Sequence, residues 1–169
     1  MKIILIGFMG SGKSAVAAEL AHKLGWAKVE MDELALKKSR RKDVNAVFNQ
    51  DGEARWRELE IATTKKLRNV DNIVISTGGG VVMNQIIFSY LKNKPQAVVI
   101  YLAAEFATLR RRLRGDKTRP LFSNIKKAQR LYELREPLYR HYADITITTG
   151  KRTPTAIAQE IIKKYISIT

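Results

Sequence analysis

Eight consecutive residues near the start of the chain carry the clearest chemistry. Gly7-Phe8-Met9-Gly10-Ser11-Gly12-Lys13-Ser14 follows the pattern G-x-x-x-x-G-K-[ST]. In that pattern glycines let a loop close around phosphates with its backbone N–H groups turned inward. A helix opening directly behind the loop adds partial positive charge at its N-terminus. Lys13 would then bring an ammonium to the β- and γ-phosphates, and Ser14 a hydroxyl to Mg2+. The bland alternative is a glycine-rich turn with an incidental lysine. The context argues against it, because the apolar run Lys2–Ile6 leads in and an amphipathic stretch from Gly12 to Leu24 leads out.

A nucleotide loop alone leaves GTPase, ATPase and small-molecule kinase open. No Asn-Lys-x-Asp segment for reading guanine is present, and no aspartate closes the run Asn72–Ser76. That run continues instead into Ser76-Thr77-Gly78-Gly79-Gly80, where the missing side chains would let a ligand approach the backbone closely. Glu30-Met31-Asp32 puts two carboxylates on one side of an extended segment, since side chains alternate along a strand. One could hold Mg2+ through water and the other orient an acceptor hydroxyl, as phosphoryl transfer requires. Acidic residues at a strand end also commonly sit in solvent or cap the next helix. Arg57 and Glu60 stand three apart in a helical stretch, so Glu60 can orient the guanidinium for bidentate binding of a carboxylate. As a surface pair the same two residues would contribute little.

The elements that must position these groups are legible as an alternation. Strands are expected at Lys2–Ile6, Ala27–Met31, Asn72–Ser76, Ala97–Leu102 and Ile145–Thr148, as apolar runs suited to a parallel sheet covered on both faces. Helices are expected from Gly12 to Leu24, from an N-cap at Asp51 to about Arg68, and after Thr153-Pro154, a cap followed by proline at the first helical position. Strand–helix alternation predicts an α/β fold, an open sheet with right-handed crossovers and ligands at the carboxyl ends of its strands.

Composition bounds the rest. The 169 residues, 45% hydrophobic and 28% charged, suit one domain able to bury a core without disulfides and exclude a disordered chain. Cysteine is absent, which removes thiolate chemistry and fits a reducing compartment. No apolar run approaches the about 18 residues of a membrane span, and Met1–Ile6 reads as a buried strand instead of a leader because it runs straight into the glycine motif. The net charge of +15, from 31 Lys and Arg against 16 Asp and Glu, should draw polyanions. Between Arg110 and Arg140 there are 11 basic residues against Asp116, Glu133 and Glu136. That local excess of +8 points to an anion site more than to a uniform coat.

Taken together these segments resemble the shikimate kinases, a family of the nucleoside-monophosphate-kinase-like P-loop fold. The loop has that family's Gly-Phe-Met-Gly-x-Gly-Lys wording, and Glu30-x-Asp32 is similar to its Asp-x-Asp. Asp51-Gly-Glu-x-x-Trp-Arg57-x-x-Glu60, Gly78-Gly79-Gly80, Lys117-Thr118-Arg119-Pro120-Leu121 and Arg135-x-x-Leu-Tyr139 resemble further family segments, in the family's order and over nearly the full length. The resemblance implies a three-layer α/β/α fold on a five-stranded parallel sheet, in one domain spanning 1–169. Residues 32–60 would form a substrate-binding subdomain and 115–124 a lid.

It also implies ATP-dependent phosphorylation of the 3-hydroxyl of shikimate, with Mg2+ as cofactor, in chorismate and aromatic amino-acid biosynthesis. Lys13, Asp32 and Arg119 would be catalytic, Asp32 meeting the accepting hydroxyl and Arg119 reaching the phosphates from the lid. Gly10, Ser11, Gly12, Lys13, Ser14 and Ala15 would bind ATP, with Arg112 and Pro154 flanking adenine and Arg152 nearby; Arg110 and Arg111 adjoin Arg112 and offer the same side chain. Arg57 and Arg135 would clamp the shikimate carboxylate, with Glu60 behind Arg57, while the backbone of Gly79, with Gly78 and Gly80, meets the ring hydroxyls. Ser14 would ligate the metal and Glu30 act through water, with Ser76 holding a metal-bound water. A cytoplasmic monomer without membrane or specific nucleic-acid partners is expected.

The chain departs from the family in three places: Glu30 replaces aspartate, Trp56 replaces phenylalanine, and Ser39-Arg40-Arg41-Lys42 lacks a Thr-Gly turn. A gluconate-kinase-like enzyme of the same fold is the nearest competing reading, disfavoured by the two arginines and the triple glycine. A nucleic-acid-binding P-loop module would account for the charge, but the chain lacks aromatic–basic interleaving. His22 and His141 are too isolated for catalysis, and Lys126, Lys127 and Arg130 read as solvated surface.

Overall fold

The computed structural model describes residues 1–93, 97–115 and 124–166. Five parallel strands, β1 (Lys2–Ile6), β2 (Ala27–Glu30), β3 (Ile73–Ser76), β4 (Ala97–Ala103) and β5 (Ile145–Thr148), pair in the order β2-β3-β1-β4-β5. Around them stand α1 (Lys13–Leu24), α2 (Met31–Ser39), α3 (Val44–Gln50), α4 (Gly52–Leu67), α5 (Gln85–Leu91), α6 (Phe106–Arg112), α7 (Ile125–Tyr142) and α8 (Pro154–Tyr165), with a 3-10 turn at Val81–Met83.

Strand alternation divides the core. Ile3 and Leu5 of β1 face Val16 and Leu20 of α1 and Ile157 and Ile161 of α8. Ile4 and Ile6 face the other way, toward Ile87 and Leu91 of α5 and Tyr139 of α7. These β1 residues are fully buried, each such side chain contributing about 1.5–3 kcal/mol. A smaller cluster, Ala35, Val47, Trp56 and Leu59, joins α2, α3 and α4.

The edge strands depart from the expected two-sided burial. Ala27 and Lys28 of β2 are exposed, and in β5 only Ile147 is buried. Each pairs on one side alone.

Three local expectations are corrected. β2 stops at Glu30, whose ladder partner Ser76 is the last residue of β3. Without a further partner the chain turns into α2, so Asp32 lies in a helical first turn, where its charge meets the positive end of the helix dipole. The same-side extended arrangement of Glu30 and Asp32 does not exist. Second, Asp51 does not cap α4 with its side chain. It closes α3, its N–H donating to Val47 O at 2.8 Å, while its carboxylate takes two hydrogen bonds from Arg41, from Nε at 2.8 Å and Nη2 at 2.6 Å. That contact holds the Asp51 carboxyl below its usual value. Third, the run expected from Asn72 begins at Ile73, because Asn72 adopts a left-handed φ of 52°. The Thr153 cap stands as expected, accepting from Ala156 N at 3.2 Å ahead of Pro154.

Arg40 closes α2 in the left-handed region, φ 58° and ψ 18°, in the segment where the Thr-Gly turn is missing. A Cβ is strained there and glycine is not. Arg40→Gly is expected to stabilise the fold by about 0.5–1 kcal/mol, less whatever the unfolded chain gains in freedom. Urea denaturation measures this, and a loss of stability would exclude strain at Arg40. Lys2 is 1% exposed and was not anticipated as a contact residue. Its Nζ donates to Leu67 O at 2.8 Å and Arg68 O at 3.0 Å, pinning β1 to the negative end of α4.

Candidate active site

The loop between β1 and α1 is shaped by its glycines. Gly7 has φ 144°, and a Cβ there would fall 2.9 Å from both Leu102 O and Ser11 Oγ. Gly12 precedes α1 at φ 96° and offers no side-chain cap, so the first N–H groups of α1, near Ser14 and Ala15, face outward for an anion. Lys13 arches over the loop, its Nζ donating to Gly7 O at 2.8 Å and Phe8 O at 3.0 Å.

Three oxygens from separate elements meet beside it. Ser14 Oγ donates to Glu30 Oε2 at 3.2 Å and lies 3.4 Å from Ser76 Oγ. The longer Glu30 therefore does reach Ser14, with Lys28 Nζ 3.2 Å from its other oxygen. Such a hydroxyl and carboxylate set suits a hard cation that also keeps waters and phosphate oxygens.

On the other side of the loop a cavity of about 200 Å³ is lined by Gly10, Ser11, Gly12, Arg112, Arg152 and Pro154 among others. Of the three consecutive arginines, Arg112 is the one that lines it. Its Nη1 donates to Gly10 O (3.1 Å) and to the buried Thr149 Oγ1 (3.3 Å), and its Nη2 to Gly150 O (2.5 Å). Thr149 carries no local motif and was missed. Arg152 is held at the start of α8 by Glu160.

A second group gathers at the carboxyl end of β3. None of Gly78, Gly79 and Gly80 has a positive φ, so the outer two are glycines for space. A Cβ on Gly78 would lie 2.5 Å from Asp32 Oδ1, and one on Gly80 2.8 Å from Arg57 Nη1. At Gly79 a Cβ would make only ordinary contacts, 3.5 Å from Met9 N and 3.7 Å from Tyr139 Oη. Arg57 donates to Glu60 Oε2 at 2.8 Å and to Glu53 Oε1 at 2.7 Å. Glu60 is 1% exposed, so this is not the surface pair of the bland reading. Burial raises the Glu60 carboxyl above its ordinary value, the adjacent Arg57 opposing and Asp32 adding to the rise. Burial also works against the charge on Arg57, but Glu60 and Glu53 outweigh it and hold its pKa above the usual value.

Arg135 enters from α7 with less compensation. Burial lowers its pKa, Tyr139 opposes this, and Arg57 lowers it further. Its Nε is buried without a hydrogen-bond partner among the described residues. Two guanidiniums close enough to repel, one with an unsatisfied donor, make an anion site. Arg119, like nearly all of the 115–124 segment, lies outside the described residues. His22, His141, Lys126, Lys127 and Arg130 are exposed.

A phosphate-gripping loop at the carboxyl ends of a parallel sheet, with an anion site beside it, defines a P-loop phosphotransferase. A profile of the family "Shikimate kinase" matches residues 9–166. A shikimate kinase of Sulfurihydrogenibium sp. is 39% identical over 163 residues, covering 96% of each chain. Shikimate kinase from Acinetobacter baumannii, solved in complex with shikimate, superposes with a TM-score of 0.87 at 30% identity, covering 96% of this chain and 90% of that one. The shikimate kinase structure from Aquifex aeolicus gives 0.83 at 32% identity, covering 96% and 95%. The chain belongs to the shikimate kinase family, and it is a kinase.

Proposed function

We propose that this chain transfers the γ-phosphoryl group of ATP to the 3-hydroxyl of shikimate, yielding shikimate 3-phosphate and ADP, in the biosynthesis of chorismate and the aromatic amino acids. The observation that carries this reading is the grouping of Arg57 against Gly80 and Asp32 against Gly78, with the buried Arg135 near enough to Arg57 to feel its charge. A carboxylated ring bearing hydroxyls has the matching chemistry. The two guanidiniums take the carboxylate, backbone groups of Gly78–Gly80 take ring hydroxyls, and Asp32 takes the reacting hydroxyl.

The acceptor oxygen bonds to the γ-phosphorus as the bond to the bridging β–γ oxygen breaks, and the hydroxyl proton passes to Asp32. Lys13 and the N–H groups of Gly10–Ala15 offset charge on the phosphates. Mg2+, when bound, supplies further neutralisation of the β- and γ-phosphates; Ser14 would hold it directly, with Glu30 and Ser76 acting through water. The cavity beside Arg112, Arg152 and Pro154 accepts adenine. By the family resemblance, Arg119 contacts the phosphates, residues 32–60 form the substrate-binding subdomain and 115–124 the lid, within one domain acting as a cytoplasmic monomer.

The deciding experiment is ADP release by purified protein with ATP and Mg2+, with shikimate or gluconate as acceptor. Shikimate-dependent release supports the reading, and release with gluconate alone overturns it. Glu30→Gln is expected to raise the Mg2+ concentration for half-maximal rate several-fold, leaving the KM for shikimate unchanged. Glu30→Asp should behave as wild type, and an unaltered Mg2+ titration in Glu30→Gln would remove Glu30 from the metal site.

Gly80→Ala should push the Arg57 guanidinium aside. Because the displaced group is the end of a flexible side chain, stability should fall by no more than about 1 kcal/mol. The KM for shikimate should rise several-fold and that for ATP hold, as paired kinetics and thermal melts would measure.

A further inference from the structure

Three glycines in a row are the least constrained backbone the chain could place at a binding site, so the orientation of their peptides needs an external cause. The carbonyls of Gly78 and Gly80 are engaged locally, accepting from Val81 N at 3.2 Å and Met83 N at 3.0 Å in the turn that follows. The Gly79 carbonyl points elsewhere. It accepts a 2.5 Å hydrogen bond from Tyr139 Oη, 60 residues away on α7.

Tyr139 is well suited to pin it. The side chain is fully buried and packs on the Tyr101 ring of β4, with centroids 5.2 Å apart and an interplanar angle of 22°. Its hydroxyl therefore has little freedom. A trans peptide sets the carbonyl of one residue and the N–H of the next in opposite directions. Fixing the Gly79 carbonyl toward Tyr139 thus turns the Gly80 N–H away from it. Neither the Gly79 nor the Gly80 N–H has a hydrogen-bond partner among the described residues, and Gly80 lies against the Arg57 guanidinium. Arg135 stands one helical turn before Tyr139 on α7, so one helix carries both a substrate arginine and the pin.

We propose that Tyr139 is a positioning residue: by locking the Gly79–Gly80 peptide it presents the Gly80 N–H as a donor to a ring hydroxyl of the acceptor. The inference rests on the shikimate reading above and adds a residue to it. Tyr139 touches no reacting atom; its hydroxyl also lies beside Arg135, and the Gly80 amide signal reads the backbone route apart from any effect on that guanidinium.

Tyr139→Phe keeps the ring and its stack but removes the pin. The KM for shikimate is expected to rise about tenfold, as loss of one well-placed hydrogen bond implies, with the KM for ATP unchanged. Tyr101→Phe, which trims a neighbouring buried hydroxyl, serves as the control and should leave the KM for shikimate unchanged. An unmoved KM for shikimate in Tyr139→Phe overturns the proposal, as does an equal rise in both KM values in both variants, which marks a structural role. If Tyr139→Phe does not fold, amide spectra of the wild type decide. Shikimate should shift the Gly80 amide proton downfield, and an unmoved Gly80 signal in shikimate-saturated protein overturns the assignment. A wild type that turns over ATP with another acceptor but not shikimate overturns the substrate reading itself, and this inference with it.

Discussion

Asp32→Asn is expected to lower kcat by about 10²–10⁴-fold, the range typical of a positioned acid–base group. The substitution preserves size and one carbonyl-type acceptor but removes the ability to take a proton. Asp32 sits in the first turn of α2 with its carboxylate against Gly78 and close to the buried Glu60, so the asparagine side chain has the same space. ATP affinity should persist, because Lys13 and the Gly7–Gly12 loop are held by their own contacts. Phosphoryl transfer passes through a loose transition state in most analyses, which divides the role of Asp32 between orienting the hydroxyl and accepting its proton. Steady-state rates with equilibrium ATP binding provide the measurement. Turnover close to wild type would remove Asp32 from the reaction.

The second large effect is expected at Arg135. Arg135→Lys should raise the KM for shikimate by about 10- to 100-fold, corresponding to the roughly 1.5–3 kcal/mol of a hydrogen bond to a charged group. Charge is retained, but the planar fork that matches a carboxylate is lost. This site also differs from Arg57, whose guanidinium is held by Glu53 and Glu60. At Arg135 burial, with Arg57 nearby, already disfavours the cation. An ammonium placed there has its pKa pushed down for the same reason. It loses its proton as pH rises, so the KM for shikimate in Arg135→Lys should climb further from neutral to alkaline pH, while in wild type arginine stays charged. A flat profile, or an equal rise in the KM for ATP, would mark Arg135 as structural.

The sites differed in how much of them could be read along the chain. The phosphate loop was legible because its function depends on a contiguous segment, where spacing is geometry. Glycines at 7, 10 and 12, each at positive φ, have few substitutes. Arg112, Arg152 and Pro154 carry no local binding motif and are singled out by the family resemblance alone; the fold brings them to one cavity with the loop. Asp32 does stand at the carboxyl end of β2, but on the first turn of α2 and not on an extended strand. The register of an edge strand ends where its neighbour turns away, and β3 leaves after Ser76. Helix α7 ran unbroken through Pro137, a residue that locally signals an interruption, because tertiary packing of Ala128 and Tyr139 outweighs one lost backbone bond.

From sequence alone came the strand–helix alternation, the nucleotide loop and the ordered set of segments that identifies the family. All are properties of residues close together in the chain. The fold decided which distant groups meet and in what medium. It brought Ser14, Glu30 and Ser76 within hydrogen-bonding reach, joined Tyr139 to Gly79, and set Lys2 against the end of α4. The Arg57–Glu60 pair shows the reason most directly. Its i,i+3 spacing is visible in any helix, but the strength of such a pair depends on how much water surrounds it. Only packing against the rest of the molecule leaves Glu60 1% exposed, because periodicity tells which residues share a face and not what covers that face.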